Sequence, residues 1–180
     1  MATKEVYFDY NEEDIAAGKY DSWDLIEPLW WNVNIYDGID VYNNDLSHFT
    51  ESQRKVLALY WYDSEVNNGG HDQFFSNSTG IVWKDAYEGL KMIGATPLAD
   101  NFKKAIDLFG GEIPFDRAER QNLLEKLYED DDFDNVLEEI DEFYYDFFEE
   151  DISEIINKFV KKNASEFVLN GTYQIEDTEA

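Results

Sequence analysis

The residues best suited to chemistry lie in one polar run, residues 65–80, EVNNGGHDQFFSNSTG. Glu65, His71 and Asp72 are side chains of the kind that bind a metal ion or exchange protons, since imidazole titrates near neutral pH. However, the chain has only two histidines, no second ligand at helical spacing from His71, and no nucleophile motif. We therefore favour a structural role for this run and predict no catalytic residue.

In the structural interpretation, the polar residues of the run support the backbone. Gly69 and Gly70 end a helix, because glycine adopts a left-handed C-cap at little cost. Asn67 and Asn77 hydrogen-bond to backbone groups, and the phenylalanine pair between them enters the core. His71 is then expected to be partly exposed.

A second candidate for ion binding is the run Asp130, Asp131 and Asp132, which resembles a fragment of a calcium-binding loop. It lacks the alternating ligands, the central glycine and the terminal glutamate that such a loop requires. The absence of cysteine excludes disulfides and thiolate metal sites. We predict no metal and no cofactor.

The elements that position these residues are predicted to be helices. Thr50 and Gln53 form a capping-box pattern at the start of a helix that continues to the glycine pair. A helix after Ser22 is expected to start nearer Glu27, because Pro28 lacks a backbone N–H. Further helices are predicted over residues 11–18, 82–93, 96–109, 116–127, 133–148 and 151–160. Residues 36–48 are predicted to form a loop, and no strand pair is expected.

These patterns predict an all-α fold: a single compact domain of about seven to nine helices with short loops. A chain of 180 residues suits one domain. Residues 1–21 are expected to form an acidic N-terminal segment with a short helix, residues 22–168 the helical domain, and residues 169–180 a flexible tail. No segment has the signature of a signal peptide or of a membrane span, which favours a cytoplasmic protein.

The charge of the chain is strongly negative and unevenly distributed. Forty-one acidic and 14 basic residues give a net charge of −27. Residues 129–154 hold 14 acids among 26 residues, with no lysine or arginine. As a helix with about 1.5 Å rise per residue, this stretch carries roughly one charge per 2.8 Å, close to the 3.4 Å of a DNA strand.

Such a charge excludes some partners and favours others. Nucleic acid and anionic membranes would be repelled, whereas a basic protein surface would be attracted. The predicted helix over residues 133–148 places apolar side chains on one half and acids on the other. We predict that the acids bind the partner: Glu129, Asp130, Asp131, Asp132, Asp134, Glu138, Glu139, Asp141, Glu142, Asp146, Glu149 and Glu150. The alternative is that the acids serve only solubility, as on many amphipathic helices.

The central run also carries a specific pattern, Glu-x-x-Asn-Gly-Gly-x-x-Gln-Phe-Phe-x-Asn-x-x-Gly. Its members here are Glu65, Asn68, Gly69, Gly70, Gln73, Phe74, Phe75, Asn77 and Gly80. With residues 93–95 and 137–167, this pattern resembles the bacterial DNA-mimic protein family, whose helical domain was long described only as a domain of unknown function. The resemblance covers roughly residues 22–168. His71 stands where the family often has an aromatic residue.

The resemblance implies an all-helical fold, no known catalytic activity and, for the family's namesake, a dimer whose acidic surface imitates duplex DNA and occupies a bacterial transcription factor. The leading hypothesis is therefore an acidic protein-binding module, a DNA mimic that blocks the basic surface of a transcription regulator or nucleoid protein. A homodimer is a further expectation. The alternative hypothesis is an immunity or antitoxin-like partner of a basic toxin.

Overall fold

The computed structural model describes residues 3–147 and 152–177. Within those residues it contains nine α-helices and one two-stranded sheet, and about 70% of the chain is helical, which confirms the predicted all-helical fold. The elements in chain order are β1 (Thr3–Tyr10), α1 (Glu12–Ala16), α2 (Ser22–Asn32), α3 (Ile39–Leu46), α4 (Glu51–Ser76), a 3-10 helix (Ser78–Val82), α5 (Trp83–Met92), α6 (Thr96–Leu108), α7 (Arg117–Leu127), α8 (Asp131–Asp146), α9 (Ile152–Lys162), a second 3-10 helix (Ala164–Phe167) and β2 (Leu169–Glu176).

The two strands form an antiparallel pair that the sequence does not predict. β1 pairs with β2 from Thr3 opposite Glu176 to Tyr10 opposite Leu169. The expectation of no strand pair is wrong, and residues 169–176 form a strand where a flexible tail is predicted. Pairing between segments some 160 residues apart has no local sequence signal, because each strand alone has only a weak two-residue alternation.

Helix α2 begins at Ser22, so the expectation that it starts near Glu27 is wrong. Asp21 caps the helix in a capping box with Asp24, and Pro28 lies inside it. The proline cannot donate to the carbonyl of Asp24 four residues earlier, which would leave that oxygen without its helical partner. The hydroxyl of Tyr10 donates to this oxygen at 3.1 Å. Strand β1 thus supplies the hydrogen bond that the proline removes.

The predicted loop over residues 36–48 contains a helix, α3. Gly38 precedes it with a φ of 95°, a conformation that glycine adopts readily. Tyr42 and Leu46, one helical turn apart, are buried in the core. Their burial outweighs the turn preference of the asparagine and aspartate residues between them, which is why the composition of the segment was misleading.

One hydrophobic cluster runs through the described residues, from Ile15 in α1 to Leu169 in β2. Helix α4 lies at its centre, and Tyr62 of this helix contacts the rings of Phe74, Phe102 and Tyr144. Helix α1 and both strands pack against this same core. The domain boundaries expected at residues 21 and 168 stay predictions. Within the described residues, no helix is long and apolar enough to cross a membrane.

Candidate functional site

Helix α4 is interrupted at the glycine pair, as the sequence predicts. Gly69 (φ −164°, ψ 30°) and Gly70 (φ 71°, ψ −174°) are non-helical, and the helix resumes after them to end at Ser76. The positive φ of Gly70 lies in the region that a side chain disfavours. The interruption therefore turns the segment that follows, which carries the rest of the central motif.

Glu65 is the hydrogen-bond centre of the motif. Its Oε2 accepts from the side-chain amides of Gln73 at 2.6 Å and Asn77 at 2.9 Å, and its Oε1 accepts from the hydroxyl of Thr79 at 2.8 Å. Asn68 in turn donates to Oε1 of Gln73. These bonds tie the end of α4 and the first 3-10 helix to the helix segment before the kink, which explains the spacing of the motif's polar residues.

The last glycine of the motif makes room for a buried arginine. A Cβ atom at Gly80 would lie 2.5 Å from Nε of Arg120. Arg120 has no exposed surface, and it donates to the carbonyl oxygens of Phe75, Asn77, Pro114 and Phe115. Burial, and then the charge of Arg117, lower the pKa of Arg120 to about 10. The guanidinium thus cross-links three chain segments through their backbones.

His71 is fully buried, which corrects the expectation that it is partly exposed. Its Nδ1 lies 2.5 Å from Oδ1 of Asp141, and its backbone N–H donates to the same oxygen at 2.9 Å. Its Nε2 lies 2.7 Å from the hydroxyl of Tyr62. His71 is buried because its imidazole joins the kink of α4 to α8, a contact that local sequence does not reveal.

The protonation of this network follows from its partners. Burial, and then the charges of Asp141 and Asp63, raise the pKa of Tyr62 well above its ordinary value of 10, so the hydroxyl keeps its proton. Oδ1 of Asp141 also accepts from the backbone N–H of His71, so Nδ1 of the imidazole donates to it, and Nε2 lies within hydrogen-bonding distance of the Tyr62 hydroxyl. The three groups form a linear hydrogen-bonded chain that runs from the core to α8.

The acid/base or metal set considered from the sequence is not assembled. Glu65 bonds to amides and a hydroxyl, His71 bonds to Asp141, and Asp72 accepts from the hydroxyl of Tyr128 at 2.8 Å. Among residues 3–147 and 152–177, no group of three or more His, Cys, Asp or Glu side chains is arranged to hold a metal ion. The motif is a hydrogen-bonded framework.

Helix α8 and the two residues before it present eight of the twelve predicted partner-binding acids to solvent. We call these exposed acids the anionic face: Glu129, Asp130, Asp132, Asp134, Glu138, Glu139, Glu142 and Asp146. No ion pair joins any of them to a lysine or arginine in the part of the chain that the structure describes. The side chain of Asp131 and all of Glu149 and Glu150 lie outside the described residues, as does Asp151, the first residue of the last predicted helix.

Asp141 differs from its neighbours in α8. The helical period groups it with the exposed acids, but its side chain is only 21% exposed and points to His71. A Cβ atom at Gly70 would collide with its Oδ2, so the second motif glycine makes room for this carboxylate. Asp141 therefore joins the central motif to the helix that carries the anionic face.

Other contacts fix the orientation of α8. Leu137, Ile140 and Tyr144 are buried on its inner side. Asn101 of α6 donates to the carbonyl of Ile140 at 2.8 Å, and the hydroxyl of Tyr144 donates to Asp63 of α4 at 2.6 Å. With one side held in this way, the opposite side of α8 keeps its acids in solvent.

Sequence reasoning missed several residues that build this framework. Thr79 falls at a variable position of the motif, and no local pattern singles out Arg120 or Tyr62. A polar residue on the apolar side of a helix is the one available signal, and Asn101, which lies three residues after Leu98 and four before Ala105, carries it.

The fold and the site define an all-helical protein in which an acidic helix is docked, through one inward carboxylate, on a glycine kink of the central helix. The chain belongs to the family described as DMP19-like protein, whose model matches residues 47–163. The match runs from the start of α4 to the end of α9 and confirms the resemblance to the DNA-mimic family. Neither a curated protein nor a solved structure matches the chain.

Proposed function

We propose that this chain is a DNA mimic that occupies the basic surface of a cytoplasmic DNA-binding protein, either a transcription regulator or a nucleoid protein. The observation that carries the proposal is the anionic face, an array of exposed acids on α8 and just before it that form no ion pair with the part of the chain that the structure describes. Membership of the DMP19-like family supports it. The function proposed is binding and involves no catalysis and no cofactor.

The charge pattern of α8 favours a use beyond solubility. Glu138, Glu142 and Asp146 follow one another at four-residue spacing, where like charges destabilise a helix by about 0.2–0.5 kcal/mol per pair. A helix selected only for solubility can include lysines and avoid this cost. A basic partner would instead use the array, because complementary charge accelerates encounter and makes affinity fall with salt.

The first test uses two variants of equal net charge. In one, four acids of the anionic face are neutralised: Glu138→Gln, Glu139→Gln, Glu142→Gln and Asp146→Asn. In the matched control, four exposed acids on other elements are neutralised: Asp40→Asn, Asp100→Asn, Glu112→Gln and Glu166→Gln. Partners are captured from a lysate of the source cells at low salt, identified, purified and titrated by calorimetry.

We expect the face variant to bind the partner about tenfold or more weakly than the wild type, and the control to change the affinity by less than about threefold. Equal weakening by both variants would show that net charge alone is responsible. Unchanged binding by the face variant would reject the anionic face as the binding surface.

The second test asks whether the partner site is a DNA site. A short DNA duplex that the partner binds should compete with this protein, and each should displace the other fully at excess. Simultaneous binding of both would reject mimicry while leaving acidic recognition intact. A homodimer belongs to the same proposal, and light scattering of the free protein measures it.

A further inference from the structure

A cavity of about 360 Å³ lies between α2, the segment that follows it and α4. Three tryptophan rings and one tyrosine ring line it: Trp30, Trp31, Trp61 and Tyr36. Glu65 and Thr79 of the central motif complete the wall. The volume is at the lower end of the roughly 300–1,000 Å³ that small-ligand sites occupy. Neither the anionic face nor the proposed partner contact includes this cavity.

The aromatic wall is held rigidly. The rings of Trp30 and Trp61 pack against each other with centroids 5.4 Å apart, and Trp61 is only 3% exposed. Tyr36, by contrast, is 78% exposed, so the cavity has one fixed side and one accessible ring. Aromatic faces carry negative electrostatic potential and attract cations, tryptophan most strongly.

The carboxylate in the wall keeps spare hydrogen-bonding capacity. Its three donors, from Gln73, Asn77 and Thr79, are neutral groups. No ion pair joins Glu65 to a lysine or arginine within residues 3–147 and 152–177. A carboxylate offers about four lone-pair sites, so one remains after three hydrogen bonds. Because Glu65 lines the cavity, a ligand bound there would lie next to this acceptor.

We propose that this cavity binds one organic cation, a guanidinium or ammonium group on a short alkyl stem. The stem packs along the indole rings while the head group reaches Glu65, as arginine and lysine side chains do elsewhere. Anions are disfavoured by Glu65 and by the net charge of −27. A neutral apolar ligand would remove water from the carboxylate without supplying a counter-charge. The site goes beyond the proposed function, because its lining contains no residue of the anionic face.

The test compares n-butylguanidinium with n-butylurea, which has nearly the same shape but no charge. Binding to the full chain is followed by tryptophan fluorescence and calorimetry at constant ionic strength. We expect one butylguanidinium per chain with a Kd on the order of 1 mM. Butylurea should bind at least about tenfold more weakly, because it loses the charge-assisted hydrogen bond and the cation–aromatic attraction.

Two variants with matched controls locate the site. Tyr36→Leu should weaken butylguanidinium binding about threefold, whereas Tyr7→Leu, another exposed tyrosine, should not. Glu65→Gln should weaken it about tenfold, whereas Glu138→Gln, which removes the same charge elsewhere, should not. If Glu65→Gln does not fold, the comparison of Tyr36→Leu with Tyr7→Leu and the comparison of butylguanidinium with butylurea still test the proposal.

Equal binding of butylurea, equal loss in Glu138→Gln, or no saturable binding would each overturn the proposal. A glycine-flanked single-arginine peptide then distinguishes the source of the cation. Binding of the peptide as tightly as butylguanidinium assigns the site to an arginine side chain of another protein. Binding of butylguanidinium alone assigns it to a free organic cation.

Discussion

The central motif and the anionic face use polar residues in opposite ways. In the motif, Glu65 accepts three hydrogen bonds from neighbouring side chains, and Arg120 is surrounded by four carbonyl oxygens. On the anionic face, eight acids lie in solvent without an ion pair among the described residues. The motif uses its polar groups to stabilise the fold, and the anionic face leaves its acids exposed to a partner.

The two regions meet at one contact, which shows how they depend on each other. Asp141 belongs to α8 by sequence and to the motif by its hydrogen bonds to His71. The position of the anionic face therefore depends on a kink in a different helix. Substitutions in the motif should affect stability strongly, and those on the face should affect stability weakly and binding strongly.

The largest loss of stability is expected for Arg120→Met. The substitution leaves the carbonyl oxygens of Phe75, Asn77, Pro114 and Phe115 without this donor, and we expect a loss of about 4 kcal/mol in the free energy of unfolding. Urea denaturation followed by circular dichroism measures it.

The control for this prediction is Arg117→Met. Arg117 is exposed, although it also donates to a carbonyl, that of Ser76. Because water can replace it there, its loss should cost less than about 1 kcal/mol. Equal effects of the two substitutions would show that the buried guanidinium does not hold the motif together.

The contrast between the two regions also explains what the sequence could predict of the fold. Local rules of capping and periodicity predict that helices start at Thr50 and Asp116 and that Phe74 and Phe75 are buried. The structure confirms these predictions. The pairing of β1 with β2 depends on segments at opposite ends of the chain, so no local pattern reports it. Helix α3 was missed because burial of its apolar residues overrides its turn-like composition.

The candidate site divides in the same way. Exposure of acids such as Glu138 and Glu142 follows from the helical period, which needs no knowledge of neighbouring elements. Asp141 obeys the same period but has a buried partner 70 residues earlier in the chain. Burial of His71 and of Arg120 likewise depends on groups supplied by distant segments. Sequence periodicity thus identifies the outward acids, whereas the inward ones require the tertiary structure.

The second prediction tests the kink itself through Gly70→Ala. Alanine at this position would have to adopt a positive φ, and its methyl group would collide with Oδ2 of Asp141. We therefore expect a loss of about 3 kcal/mol in the free energy of unfolding. Gly94→Ala is the matched control, because Gly94 also has a positive φ but open space around it. It should cost about 1 kcal/mol. Thermal and urea unfolding of both variants would give the excess cost at Gly70, where the contact with Asp141 adds to the backbone strain.

The third prediction separates Asp141 from its neighbour in the acidic helix. Asp141→Ala removes the acceptor of two bonds from His71, and we expect a loss of about 2 kcal/mol. Glu142→Ala, one residue later and exposed, should change stability by less than about 0.5 kcal/mol. Urea unfolding gives both values, and hydrogen exchange should show faster opening of α8 only in the first variant. Equal behaviour would place Asp141 with the other acids of the face.

The smallest expected effect on the free energy of unfolding is a gain in stability, not a loss. Glu142 lies four residues from both Glu138 and Asp146, so Glu142→Lys replaces two repulsive pairs with two attractive ones. We expect a gain of about 0.5–1 kcal/mol at low salt, with roughly half of it in Glu142→Gln, and a smaller gain as salt screens the charges. The same substitution should weaken binding to a basic partner. A gain in stability that accompanies a loss in binding would show that the acids are kept at a cost to the fold. If Glu142→Lys lowers stability instead, the face has a structural role that its exposed side chains do not reveal.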